Sequence, residues 1–447
     1  MVVLPYTVAF LLLSFLQTVK IANSQSFIGI NYGQVADNLP PPSSTAKLLQ
    51  STSIQKVRLY GSDPAIIKAL ANTGIGIVIG TANGDIPGLA SDPNFAKSWI
   101  NTNVLPFYPA SNIILITVGN EVMTSNDQNL MNKLLPAMQN VQNALNDASL
   151  GGKIKVSTVH SMGVLKQSEP PSSGSFDPSY GDLMKGLLEF NSANGSPFAI
   201  NPYPYFAYRS DTRPETLAFC LFQPNAGRMD GNTKIKYMNM FDAQVDAVYS
   251  ALNSMGFKNV EIVVAETGWP YKGDDNEVGP SIENAKAYNG NLIAHLRSLV
   301  GTPLMPGESV DTYLFAFYDE DLIKPGPGSE RSSGLFKTGV TMVYDVGLST
   351  SSQAPAAAPQ PSPAAATTTT TTTTTTITSN SNSSTSTSTS TSTGTGTSTS
   401  TNTVNISIGS SSGSGSKVYL IRIFNLGLLY GFMGLSLICL FFYDLQI

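Results

Sequence analysis

The sequence predicts an α/β fold, a (β/α)8 TIM barrel, followed by a disordered Ser/Thr-rich stalk and a hydrophobic C-terminal tail. Three observations predict it. Eight short β-rich runs lie within residues 25–346, with longer helix-compatible stretches between most of them. Those runs are apolar throughout rather than alternating, which implies a parallel sheet buried on both faces. Strand and helix then alternate through eight units, the pattern of a closed barrel. A doubly wound open sheet is the alternative. It calls for a glycine-rich phosphate turn after the first strand, and the chain has NYGQVADNLP there.

The elements follow in order. The strand runs are FIGINYG (27–33), KVRLYG (56–61), GIGIVIGT (74–81), IILITVGNE (113–121), IKVSTVHS (154–161), PFAINPY (197–203), VEIVVAETG (260–268) and TYLFAFYDE (312–320). Among the intervening stretches, residues 129–147, 240–256 and 281–300 carry apolar residues at helical spacing.

The ends of the chain read differently. Residues 1–24 combine a short apolar run with Ala22-Asn23-Ser24, a secretory signal peptide with its cleavage pattern. From 347 to 416 the composition turns to Pro, Ala, Ser and Thr, including ten threonines from Thr367 to Thr376. Such a stretch cannot form a core and reads as a glycosylated linker. Residues 417–447 hold a long apolar tail behind a spacer of small residues, the pattern of a GPI-attachment signal whose tail is removed. The attachment residue is expected among Ser407 to Ser412. A single spanning helix is the rival, but the tail is followed by Asp-Leu-Gln-Ile rather than by basic residues. The expected location is therefore the outer face of the plasma membrane and the cell wall. N-glycosylation sequons stand at Asn194, Asn382 and Asn405.

Net charge is −5, with no basic cluster, which argues against nucleic acid as a partner. The expected state is a monomer. With Cys439 in the removed tail, Cys220 is the one cysteine left and reads as a core thiol within TLAFCLF. Of the two histidines, His160 at the fifth strand end reads as a structural or supporting residue and His295 as helix packing. No His/Cys/Asp cluster has metal-ligand spacing, so neither metal nor cofactor is expected.

The chemistry is expected at the C-terminal strand tips, where a barrel of this kind carries its active site. Glu121 ends the fourth strand and Glu266 ends the seventh. A carboxylate delivered to the tip of a buried strand is costly unless paired or put to use. Two of them fit glycoside cleavage: one acid protonates the leaving oxygen, and one carboxylate attacks the anomeric carbon. Aromatic residues gather at the same tips, and Tyr32, Tyr203, Phe206 and Trp269 are expected to line a sugar groove. Arg58, at the second tip, needs a carboxylate partner and is expected to orient the site.

INYGQVADNLPPP, VRLYGSDP, VGNEV, NPYPYFAY, FDAQVDAVYSAL, ETGWP and SERSSGLF together resemble the plant endo-1,3-β-glucanases of glycoside hydrolase family 17. The likeness covers residues 27–345. It implies a retaining enzyme on a (β/α)8 barrel, with 1,3-β-glucan as its polysaccharide partner. It further implies that Glu121 is the general acid/base, Glu266 the nucleophile, and Asn120 a supporting residue. Two acidic residues and a lysine near the pair match Glu320, Glu330 and Lys324. Lys324 lies in DEDLIKPGP, one residue longer than the family's DEDLKPGP, and is expected to hold the charge of Glu266. A retaining pair is expected about 5 to 5.5 Å apart. A glucan-binding protein with little catalysis, or a mixed-linkage glucanase or transglucosylase on the same fold, is the alternative.

Overall fold

Eight parallel strands close into a barrel in the computed structural model, which describes residues 28–323 and 326–350. The signal peptide, the stalk from 351 onward, the apolar tail, Lys324, Asn382 and Asn405 lie outside the described residues. The strands are β1 (Ile28–Tyr32), β2 (Lys56–Leu59), β3 (Gly76–Thr81), β4 (Ile113–Asn120), β5 (Lys155–Ser161), β6 (Phe198–Asn201), β7 (Ile262–Thr267) and β8 (Asp311–Leu314). Each pairs in parallel with its sequence neighbours, and β1 closes on β8 through Ile28 opposite Thr312. Every expected strand run supplies one of them.

Ten α-helices surround the described barrel: α1 (Pro42–Gln50), α2 (Pro64–Ala69), α3 (Ile86–Ser91), α4 (Pro93–Asn103), α5 (Gln128–Asp147), α6 (Gly181–Asn194), α7 (Pro204–Ser210), α8 (Pro214–Cys220), α9 (Met240–Ser254) and α10 (Ile282–Ser298). Their starts are encoded locally. The side chains of Asp63, Asp92, Asp127, Asn239 and Ser281 each accept a first-turn backbone N–H, satisfying a donor the helix itself leaves unpaired. The three helices expected from periodicity correspond to α5, α9 and α10, within two residues at each end.

Two layers of core follow from the closure. The large cluster packs strand residues such as Ile262 and Val264 against the helices. A small cluster joins Val78, Leu115, Val263 and Tyr313, from strands on opposite sides of the barrel, so these fill its interior. Val159, Ala199 and Ala265 form a second inward group. At the pole where strands begin, Lys56 of β2 pairs with Asp311 of β8.

Packing continues past the expected domain end at residue 346. Leu348 is fully buried, and Ser349 bridges to Thr52.

Candidate active site

The barrel ladder shifts register at three places, and the two glutamates emerge at two of them. Register shifts between Thr117 and Asn120 on β4 and between Val264 and Thr267 on β7. Bulges of this kind re-aim side chains next to active sites. On β7, Ala265 faces inward and the Thr267 hydroxyl bonds Tyr288 on the helix side. Strict alternation would send Glu266 outward with Val264. The irregularity instead turns it inward, where Arg58 of β2 reaches it across two intervening strands. On β4, Gly119 and Glu121 both have left-handed backbones, with φ of 71° and 54°. The Glu121 N–H still holds the β5 side, donating to the carbonyl of Val159 at 2.8 Å.

Glu266 is bound at both oxygens. Arg58 Nη1 donates to Oε1 at 2.6 Å, and the Tyr203 hydroxyl donates to Oε2 at 2.8 Å. Arg58 is fully buried and spans the site: its Nη2 donates to Asn120 Oδ1 at 2.8 Å. The bulge leaves the Ala265 carbonyl facing inward, and it accepts from Asn31 Nδ2 at 2.8 Å and Arg58 Nη1 at 3.2 Å. A charged carboxylate survives burial when it is paired and its lone pairs are used, and this one meets both conditions. The Arg58 guanidinium also lies 4.5 Å over the Tyr60 ring. Burial, followed by the charge of Glu266, holds Tyr60 and Tyr203 well above the usual phenol range, so both keep their protons, and Tyr203 donates its own to Glu266.

Glu121 meets different surroundings. Its Oε1 accepts one hydrogen bond, from Asn201 Nδ2 at 2.8 Å. Desolvation, and then the negative charge of Glu266, push its carboxyl up to about 7. Two inward carboxyls that feel each other are thus split, one dressed with donors and one favoured in its protonated form.

The other expected residues divide. Glu320 joins the site: it accepts from the Val35 N–H at 2.8 Å, and burial with the charge of Glu266 pushes it to about 7. Gly33 is required for this approach, since a Cβ there would lie 1.7 Å from Glu320 Oε1. Glu330 does not join the pair. The charges that act on it are those of Glu277, Arg209 and Arg331. The cation on Glu266 among the described residues is Arg58, the place expected for Lys324.

Two of the four expected groove aromatics are corrected. Trp269 is 0% exposed, with its indole N–H donating to the Gly279 carbonyl and its ring packed on Tyr205, Tyr208 and Tyr288. Tyr32 is 2% exposed and packs edge-on against Phe317 and Tyr318. Both rings are spent on the core and have no face for a sugar. Tyr203 and Phe206 are partly exposed neighbours, with ring centroids 5.3 Å apart. Asn194 keeps its amide inside α6, donating to Phe190 O at 2.8 Å, and Ser196 of its sequon is buried.

The supporting residues settle simply. His160 is buried and stacked on Phe198 at 4.7 Å, and burial lowers its imidazole to about 3. His295 pairs with Asp242 at 2.9 Å. Burial pushes the Cys220 thiol up to about 12, as suits a core thiol. Asn201, Asn31 and Asn83 were not anticipated. Asn201 sits in the NPYPYFAY segment, where its place at a strand tip was the available signal.

A (β/α)8 barrel with two inward, electrostatically unequal carboxyls at its C-terminal strand ends has the build of a glycoside hydrolase. Residues 28–348 match the family model described as glycosyl hydrolases family 17, and the chain belongs to that family. It is 73% identical over 345 residues to glucan endo-1,3-beta-glucosidase 7 of Arabidopsis thaliana, covering 77% of this chain and 68% of that one. It is 67% identical over 344 residues to a glucan endo-1,3-beta-D-glucosidase of Olea europaea, covering 77% and 75%. Among solved structures it is similar to CJP38, a beta-1,3-glucanase and allergen of Cryptomeria japonica pollen. That likeness has 41% identity and a TM-score of 0.69, and covers 73% of this chain and all of that one.

Proposed function

We propose that the protein is a retaining endo-1,3-β-glucanase acting on callose-type wall glucan, with Glu266 as nucleophile and Glu121 as acid/base. The observation that carries the roles is the unequal treatment of the two carboxyls. Glu266 has a donor on each oxygen, while Glu121 is pushed up to about 7. The 1,3 linkage is supported by the names of the relatives.

In the first step Glu121 gives its proton to the glycosidic oxygen as a Glu266 oxygen attacks the anomeric carbon. The bond to the leaving sugar breaks and a glycosyl ester forms. In the second, Glu121 takes a proton from water, whose oxygen displaces Glu266. Arg58 and Tyr203 hold the attacking carboxylate in one orientation, and Asn201 holds Glu121. Tyr203 and Phe206 offer ring faces to the sugar.

The chain's ends support a secreted, lipid-anchored form at the outer plasma membrane, with the Ser/Thr-rich stretch as its tether. Release of the protein from membranes by a phosphatidylinositol-specific phospholipase tests the anchor, and retention there would favour the spanning helix. Reducing-end release from a linear 1,3-β-glucan tests the activity. Glu266→Gln should lower turnover by at least about 10³-fold. No release by the unaltered protein would sink the enzyme reading, and equal turnover in the variant would sink the nucleophile.

A further inference from the structure

We propose that Asn83 is a positioning residue for Glu121, acting through the backbone of Asn120. This rests on the reading of Glu121 as acid/base. The β3–β4 ladder ends with Thr81 opposite Val118. The next β4 residue to need a partner on that side is Asn120, and β3 has already turned away into the 3₁₀ turn Asn83–Asp85. The Asn83 side chain stands in for the missing strand. Its Oδ1 accepts from the Asn120 N–H at 2.8 Å, and its Nδ2 donates to the Asn120 carbonyl at 3.1 Å. A primary amide offers one acceptor and donors in the same plane, as a peptide does, so the pair reproduces a ladder rung.

This rung is placed where the backbone most needs holding. Asn120 lies between two left-handed residues, Gly119 and Glu121. The left-handed conformation costs a non-glycine residue roughly 1–2 kcal/mol, so it persists only where its surroundings impose it. On the β5 side the Val159 carbonyl takes the Glu121 N–H at 2.8 Å. On the β3 side the constraint is Asn83. With both in place, Asn120 Oδ1 meets Arg58 at 2.8 Å and Glu121 Oε1 meets Asn201 at 2.8 Å. Without Asn83 the Asn120–Glu121 peptide is held from the β5 side alone, and the acid proton shifts off its line to the glycosidic oxygen. Glu266 keeps its own two donors, Arg58 from β2 and Tyr203 from the segment just after β6.

The consequence is a selective defect. Acid assistance matters for a sugar leaving group and hardly at all for an acidic phenol. In the full-length protein, Asn83→Ala should lower kcat/KM on linear 1,3-β-glucan by about 10-fold or more, since a 1 Å misplacement costs up to ~10²-fold. On 2,4-dinitrophenyl β-laminaribioside the loss should stay below about threefold. Asn140→Ala is the structural control: Asn140 donates to the Leu89 and Ala90 carbonyls at 2.8 and 3.2 Å, away from the site. It should lower the melting temperature without changing the ratio between the two substrates.

Should Asn83→Ala fold poorly, Asn83→Asp serves. It keeps the acceptor but sets a carboxylate oxygen against the Asn120 carbonyl. Its defect on glucan should shrink below about pH 4, where a protonated Asp donates again. Glu121→Ala tests the underlying assignment separately, and its own leaving-group selectivity is expected. If Glu121→Ala is selective while the Asn83 variants lose equally on both substrates, lose nothing, or behave as Asn140→Ala, the proposal is overturned and Glu121 keeps its role. If Glu121→Ala is not selective, the acid/base reading falls and takes the proposal with it.

Discussion

Arg58 bonds directly to Glu266 and to Asn120, while its influence on Glu121 is only that of a nearby charge. The single proton available to the carboxyl pair is therefore better placed on Glu121, where burial penalises the anion and one amide is the only donor among the described residues. A pH dependence follows with a definite sign. The acid must carry its proton, so activity is retained below its raised value and lost as pH rises through about 7. The kcat/KM profile on 1,3-β-glucan between pH 4 and 9 should show a basic limb near neutrality. On the 2,4-dinitrophenyl glycoside that limb should weaken, because the first step no longer needs the proton. A limb of equal depth on both substrates would assign it to another group, Glu320 first, since that carboxyl also lies near 7.

At the scale of elements, the candidate site depends on two strands that fail to stay regular. The β4 tip needs a glycine at 119: its φ is 71°, and a Cβ would lie 2.7 Å from Val122 and 2.8 Å from both Asn83 and Ile86. Gly119→Ala should therefore cost about 1–3 kcal/mol of stability, seen as a lower melting temperature, and at least about 10-fold in kcat/KM. Gly84, with nothing within 4 Å of its Cβ position, is the contrast, and Gly84→Ala should leave both nearly unchanged. The elements themselves were legible, because a strand buried on both faces must be apolar along its length and VEIVVAETG cannot be much else. The irregularities were not. Nothing in ETGWP announces that Glu266 turns inward against the alternation, and the Asn201–Glu121 contact joins residues 80 apart in sequence. Aromatic placement was equally hidden: Tyr203 and Trp269 both follow strand tips, yet one bonds Glu266 and the other is sealed under α10. Composition gives a ring its chemistry, but the packing around it decides which face is left.

On the scale of the whole molecule, both ends of the described chain sit at the pole opposite the site. β1 starts there, with Gln55 N–H donating to the Ile28 carbonyl at 3.0 Å. The last described residues are stitched to the segment between α1 and β2. Ser53 N–H donates to Leu348 O at 2.7 Å, Thr350 N–H to Ser51 O at 3.0 Å, and Arg297 Nη2 to Gly347 O at 3.0 Å. The strand tips that carry the carboxyl pair thus lie at the other pole from residue 350. Removing this stitching should separate stability from catalysis. A chain ending at residue 346 loses the fully buried Leu348 and the backbone bonds around it, a cost of about 2–4 kcal/mol. A chain ending at residue 350 keeps them. The shorter form should melt several degrees lower, yet its kcat/KM at 25 °C should match the longer one, because Leu348 is bonded to Ser53 at the pole opposite the carboxyl pair. Equal melting temperatures would mean the stitch contributes nothing. A fall in kcat/KM at 25 °C would instead mean that the two poles are coupled through the strands, with the Lys56–Asp311 pair beneath Arg58 as the first place to look.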